Sequence, residues 1–179
     1  GDRALRAAEQ VGNFAQLGVQ TARALFARRF PLRAALHNPT LADRWQRLGQ
    51  VLRFETSLPT RLSELAILVT ARRWNSRLEW AIHAGDADRA GLDPAVAEAI
   101  RVCEPPDFGD DAEGREIYEF ARQIVQTGDV DPDSYAAIVA RWGEVGAVEL
   151  TAVIGYYSLV AMTLNVHRIP LPEGVSCAL

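Results

Sequence analysis

Three observations predict an all-α fold for this chain of 179 residues. Apolar residues recur three and four positions apart in one segment after another, the spacing of a single helix face. No segment sustains the two-residue alternation of a half-buried strand. Proline, aspartate and glycine punctuate the periodic stretches at the places where helices start and stop. Together these predict about eight helices joined by short loops, bundled around a central helical hairpin.

The first periodic stretch, Asp2 to Arg29, carries Leu5, Phe14, Leu17, Val19, Leu25 and Phe26 in imperfect register, a loose apolar face better suited to a partner subunit than to its own core. Phe30-Pro31 breaks it. His37 to Thr40 reads as a turn and helix start, followed by Leu41 to Leu52 with Leu41, Trp45 and Leu48 on one side. Arg53 to Ser57 is a short connector into the hairpin, Leu58 to Gly91. Its first helix carries Leu62, Leu65, Ala66, Val69 and Ala71, with Pro59 in the first turn. Its second starts near Asn75 or Ser76 and stops at Gly91, a C-terminal cap.

Asp93 then caps a helix with Pro94 at its first position, running to about Val102. Glu104 to Gly109 is a surface loop rich in proline and acids. Asp111 to Thr127 places Ile117, Phe120, Ala121, Ile124 and Val125 at helical spacing, and Gly128-Asp129 ends it. Asp131-Pro132 opens the next helix, with Tyr135, Ile138, Val139 and Trp142 on the inner face and Gly143 as its stop. A long apolar helix follows to about Arg168, before an irregular tail from Ile169 to Gly174.

Composition narrows the chemistry. Hydrophobic residues make up 49% and charged residues 23%, a globular balance. All 19 basic residues are arginine, which excludes Schiff-base lysine chemistry and a Walker lysine. From Gly1 to Arg53 there are nine arginines against three acids. They are dispersed and the net charge is −4, so no nucleic-acid partner is expected. Val145 to Val166 approaches membrane-spanning length, but only just once Glu149 is excluded, and lacks flanking basic or aromatic belts. A fully buried core helix is the expectation, with no membrane. Cys103 and Cys177 match no metal or redox spacing and no secretory signal is visible, so a cytoplasmic setting is expected.

The densest polar constellation lies in the hairpin. Glu64 shares a helix face with Ile67, Leu68 and Ala71, so burying that face draws in an acid that needs a donor such as His83, Arg61 or water. Ser76, Glu79 and His83 fall on one stripe of the second helix. Ser76 to Glu79 also spells a capping box, which would occupy both side chains structurally. Glu79 and His83 have helical ligand spacing and Glu64 could be a third ligand, yet the set is thin for a metal site and none is expected. Trp80 reads as packing or recognition. Tyr156, Tyr157 and Asn165 read either as core filling or as pocket lining near the hairpin.

These residues resemble the carboxymuconolactone decarboxylase family, which includes the alkylhydroperoxidase D proteins. The resemblance rests on Leu58-Pro59-x-Arg61-Leu62-x-Glu64-Leu65, Glu79-Trp80-x-x-His83, Ala90-Gly91-Leu92, Gly155-Tyr156-Tyr157 with Asn165, and Pro170-Leu171-Pro172. It covers roughly residues 36–172 as a family core within a single 1–179 domain, with 1–35 as a helical extension. It implies an alkylhydroperoxidase D-like helical bundle, an active site on the hairpin, and homotrimers or hexamers with pockets near subunit contacts; a homo-oligomer (dimer, trimer or hexamer) is the expectation. Glu64 matches the family's relay glutamate and His83 its histidine. Where the peroxidase branch places a C-x-x-C pair, this chain has Ser76 and Glu79, so thiol-based peroxide reduction is not expected.

The expected function is cofactor-free acid/base chemistry on a small organic acid or lactone, with decarboxylation as the leading case. His83 would be the general acid/base, Glu64 and Glu79 would orient it and pass protons, and Ser76 would bond the substrate. Arg61 or Arg72 would clamp a substrate carboxylate. A catalytically silent binding or assembly module, a metal-dependent hydrolase or lyase, and a proton-transfer isomerase or cyclase are the alternatives.

Overall fold

The computed structural model describes residues 33–177 and 179. The helix expected over Asp2 to Arg29 lies outside the described residues. A 3-10 turn, Arg33–His37, leads into six α-helices: α1 (Pro39–Phe54), α2 (Thr60–Arg73), α3 (Arg77–Arg89), α4 (Pro94–Val102), α5 (Ala112–Thr127) and α6 (Pro132–Val166). There is no strand among the described residues.

The starts follow the expected capping chemistry. Asn38, Asp93, Asp111 and Asp131 each accept a backbone N–H of the first turn that follows. At the other ends, Gly91 and Gly128 adopt positive φ, as C-terminal caps require. Gly143 has φ 69 and ψ 179, a non-helical conformation that breaks α6 into the two segments its sequence implied. The two run on so directly that they form one kinked element instead of separate helices.

α2 is the centre. Every residue from Leu62 to Ala71 is buried, so this helix is covered all round by α3, α4, α5 and α6. Glu149, the one acid in the apolar run of α6, accepts from both the backbone N–H (2.8 Å) and the hydroxyl (2.6 Å) of Ser57. It pins the entry of the hairpin to α6. The corner between α2 and α3 is tied to the same helix, because the Trp74 indole donates to Ser158 (3.0 Å) and the Asn165 amide donates to the Trp74 carbonyl (2.7 Å).

Two expected faces are corrected. α1 buries Trp45, Gly49 and Leu52, leaving Leu41 and Leu48 about half exposed. The contact is narrow because the Tyr156 side chain lies against Gly49, where an added Cβ would overlap its hydroxyl. α6 is not fully buried. Val153, Ile154, Tyr157, Ala161 and Leu164 face the core, whereas Val145, Val148 and Val166 are 64%, 68% and 76% exposed. By length and composition α6 could cross a membrane, and half of its most apolar window is buried inside the protein.

Candidate active site

The hairpin places its polar residues by simple register. Glu64, one turn into α2, is carried inward with the buried face that Leu68 and Ala71 share. Ser76, Glu79 and His83 lie on the stripe of α3 that faces it, and all four are buried. His83 Nδ1 and Glu64 Oε2 approach to 2.7 Å in an environment where each residue is about 5% exposed. Against a carboxylate the proton belongs on Nδ1, which leaves Nε2 as the basic nitrogen of the ring. The edge of Tyr157 packs on that ring with centroids 4.8 Å apart, Tyr156 on Tyr157 at 5.3 Å, and Trp45 on Tyr156 at 6.4 Å. α1 and α6 therefore supply an aromatic wall beside the pair.

Glu79 takes a different role from the one its spacing implies. It is 2% exposed, and among the described residues neither carboxylate oxygen has a hydrogen-bond partner, His83 included. Burial pushes its pKa up to about 9, with the nearby Ser76 hydroxyl acting in the other direction although no hydrogen bond of ordinary geometry joins them. Glu79 is thus a neutral carboxylic acid at pH 7. The capping box is not formed, since Ser76 occupies the N-cap position but its hydroxyl caps nothing. Buried polar atoms without partners are costly, and Ser76 Oγ, both Glu79 oxygens and Trp45 Nε1 are all in this state. Burial also pushes the Tyr156 hydroxyl up to about 12 and that of Tyr157 higher still, so both remain protonated donors.

The other expected site residues go elsewhere. Arg61 pairs with Asp111 and Glu113 at the start of α5. Arg72 donates to the Arg101 carbonyl (2.7 Å) and to the Asn75 side chain. Asn165 is exposed and serves the Trp74 carbonyl, two turns of α6 beyond Tyr157. Trp80, on a different stripe of α3, lines a cavity of about 200 Å³ against α4, with Ala84, Ala87 and Leu92.

Two groups that sequence reasoning missed adjoin the pair. Asp86 continues the Ser76–Glu79–His83 stripe by three residues, so extending that spacing would have found it. Arg53, at the end of α1, pairs with Asp86 across the bundle at 3.3 Å, and no local pattern announces it. Ligand atoms of Glu64, His83 and Asp86 lie within 4.8 Å of one another, a carboxylate–imidazole–carboxylate set that could hold a metal ion. It replaces the Glu79-containing set weighed from sequence. No protein-family model matches the chain, and no curated protein matches it in sequence.

Proposed function

We propose that the protein is an acid/base enzyme of the carboxymuconolactone decarboxylase type, a cofactor-free carboxy-lyase acting on a small organic acid or lactone. The observation that carries this reading is the buried 2.7 Å Glu64–His83 contact beside an acid, Glu79, that burial keeps protonated. A neutral acid and an imidazole give such chemistry a hydrogen-bond donor and a proton carrier. As the C–C bond to the carboxylate breaks, CO2 leaves and the electron pair passes into an enolate. The Glu79 acid stabilises the developing oxyanion as a hydrogen-bond donor. His83, held by Glu64 through Nδ1 and taking a proton from solvent on Nε2, then delivers that proton to carbon.

The test incubates the full chain with β- and γ-lactone acids in D2O and follows CO2 release and deuterium uptake at carbon together. CO2 release with deuterium on the carbon that bore the lost carboxylate is expected for one of them. Exchange without CO2 would replace the reading with a proton-transfer isomerase, and neither signal on any substrate would leave a silent module.

Self-association is part of the reading. Val145, Val148, Ala152, Gly155, Leu159, Met162 and Val166 follow each other at alternating spacings of three and four along α6, all exposed except Ala152, which is half-buried against the core. That is the seam of a coiled coil, about 30 Å long and free of charge, with small residues at its middle for close approach. A second copy of this chain is the proposed occupant. Val148→Glu with Met162→Glu is expected to convert an oligomer into a monomer in light scattering. A monomeric parent protein, or an oligomer that survives both charges, overturns this.

A further inference from the structure

Arg53 places a cation at the edge of the site. Arg53 reaches from α1 to Asp86 on α3, with its guanidinium over the Phe54 ring at 5.4 Å. Asp86 in turn stands within 4.8 Å of both Glu64 and His83. One carboxylate therefore separates the guanidinium from the buried pair. The Arg53 side chain is 39% exposed and that of Asp86 23%, so the ion pair sits between solvent and a dyad that is nearly inaccessible. Its charge also reaches Tyr156 and Tyr157.

Asp86 has a second partner. Arg89, one turn further along α3 and 72% exposed, bonds its other oxygen. If Arg53 turns to another anion, Asp86 is still neutralised, so releasing Arg53 strands no charge. Exposed ion pairs of this kind are weak, which makes the exchange easy. Arg61 and Arg72 are held at the α5 start and at the α4 end respectively, leaving Arg53 as the arginine that spans from α1 to the dyad's edge.

We propose that Arg53 is the residue that recognises the substrate's carboxylate, and that its ion pair with Asp86 is a latch which an incoming carboxylate opens by taking the place of Asp86. This rests on the acid or lactone-acid reading above. It commits that reading to a substrate carrying a carboxylate that stays outside the dyad while the reacting carbon approaches His83. A planar guanidinium suits the task, because it binds a carboxylate through two parallel hydrogen bonds.

The experiment is calorimetric titration of the full chain with succinate, with γ-carboxy-γ-butyrolactone and with neutral γ-butyrolactone, none of which requires turnover. Parent protein, Arg53→Gln and Asp86→Asn are compared, with thermal melts to show that all are folded. The lactone acid is expected to bind the parent, to bind Arg53→Gln about tenfold more weakly, and to bind Asp86→Asn severalfold more tightly because the internal competitor is gone. Neutral γ-butyrolactone is expected to show neither change. Equal binding to parent and Arg53→Gln, no gain in Asp86→Asn, or no binding of either anion to the parent overturns the latch. Anion binding that follows both substitutions without any CO2 release would keep the latch and remove the decarboxylase reading. Decarboxylation that Arg53→Gln leaves untouched would do the opposite.

Discussion

His83→Ala is expected to lower kcat on a decarboxylated substrate by roughly 10²- to 10⁴-fold, the usual contribution of a positioned acid/base group. The same substitution should destabilise the fold by about 3–5 kcal/mol, because it strands Glu64 in a buried site without its donor. These two effects are separable. Glu64→Gln retains the shape of the pair but loses the charge that fixes the imidazole tautomer, so its turnover is expected to fall less than that of His83→Ala. The double variant, Glu64→Gln with His83→Ala, should recover part of the lost stability, since the buried charge is gone, while remaining inactive. Urea denaturation and single-turnover CO2 release on the same preparations read both. Full turnover by His83→Ala would remove the imidazole from the chemistry, and a double variant no more stable than His83→Ala would show that Glu64 is not an uncompensated charge.

Glu79→Gln is expected to stabilise the protein at alkaline pH, and the sign follows from proton linkage. The carboxyl pKa is about 9 in the folded chain against an ordinary 4.5. Between those values the folded state holds a proton that the unfolded state has released, so stability falls as pH rises through this window. Below about pH 4.5 both states are protonated and the penalty vanishes. At pH 8 it is on the order of several kcal/mol, since every tenfold difference in proton affinity between the two states corresponds to about 1.4 kcal/mol. Glutamine is neutral throughout and close to the same shape. The urea midpoints of parent and Glu79→Gln should therefore lie close together at pH 5 and diverge by pH 8, with the variant higher. Parallel midpoints at both pH values would mean that Glu79 ionises normally. If Glu79 also stabilises the enolate, the more stable variant should be the slower enzyme, a trade that active-site acids commonly impose.

Much of the fold was legible because its determinants are local. Asp93-Pro94, Asp131-Pro132, Gly91 and Gly128 mark helix ends through backbone chemistry that depends on only a few neighbouring residues. The all-α class and the hairpin followed from the same rules. The acid–imidazole pair was legible for a related reason: an acid on an apolar face of one helix, and a histidine on a polar stripe of the next, have few places to go once the two helices pack. The faces of α1 and α6 were read less well. Leu41, Leu48, Val145 and Val148 have apolar side chains but stand exposed, and which side of a helix is covered depends on helices far away in sequence.

The residues alone determined an all-helical chain, its capping points and the placing of Glu64 and His83 on helix faces that could meet, because periodicity and caps act over a few residues. Only the tertiary structure decided that Glu79 is a neutral acid with no partner, that Ser76 does not cap, that Arg61 and Arg72 serve the α5 and α4 ends, and that Arg53 and Asp86 stand beside the dyad. Protonation is set by desolvation, and ion pairing by which helix ends converge. Both are properties of the packed bundle, in which Arg53 and Asp86 meet across 33 positions of sequence.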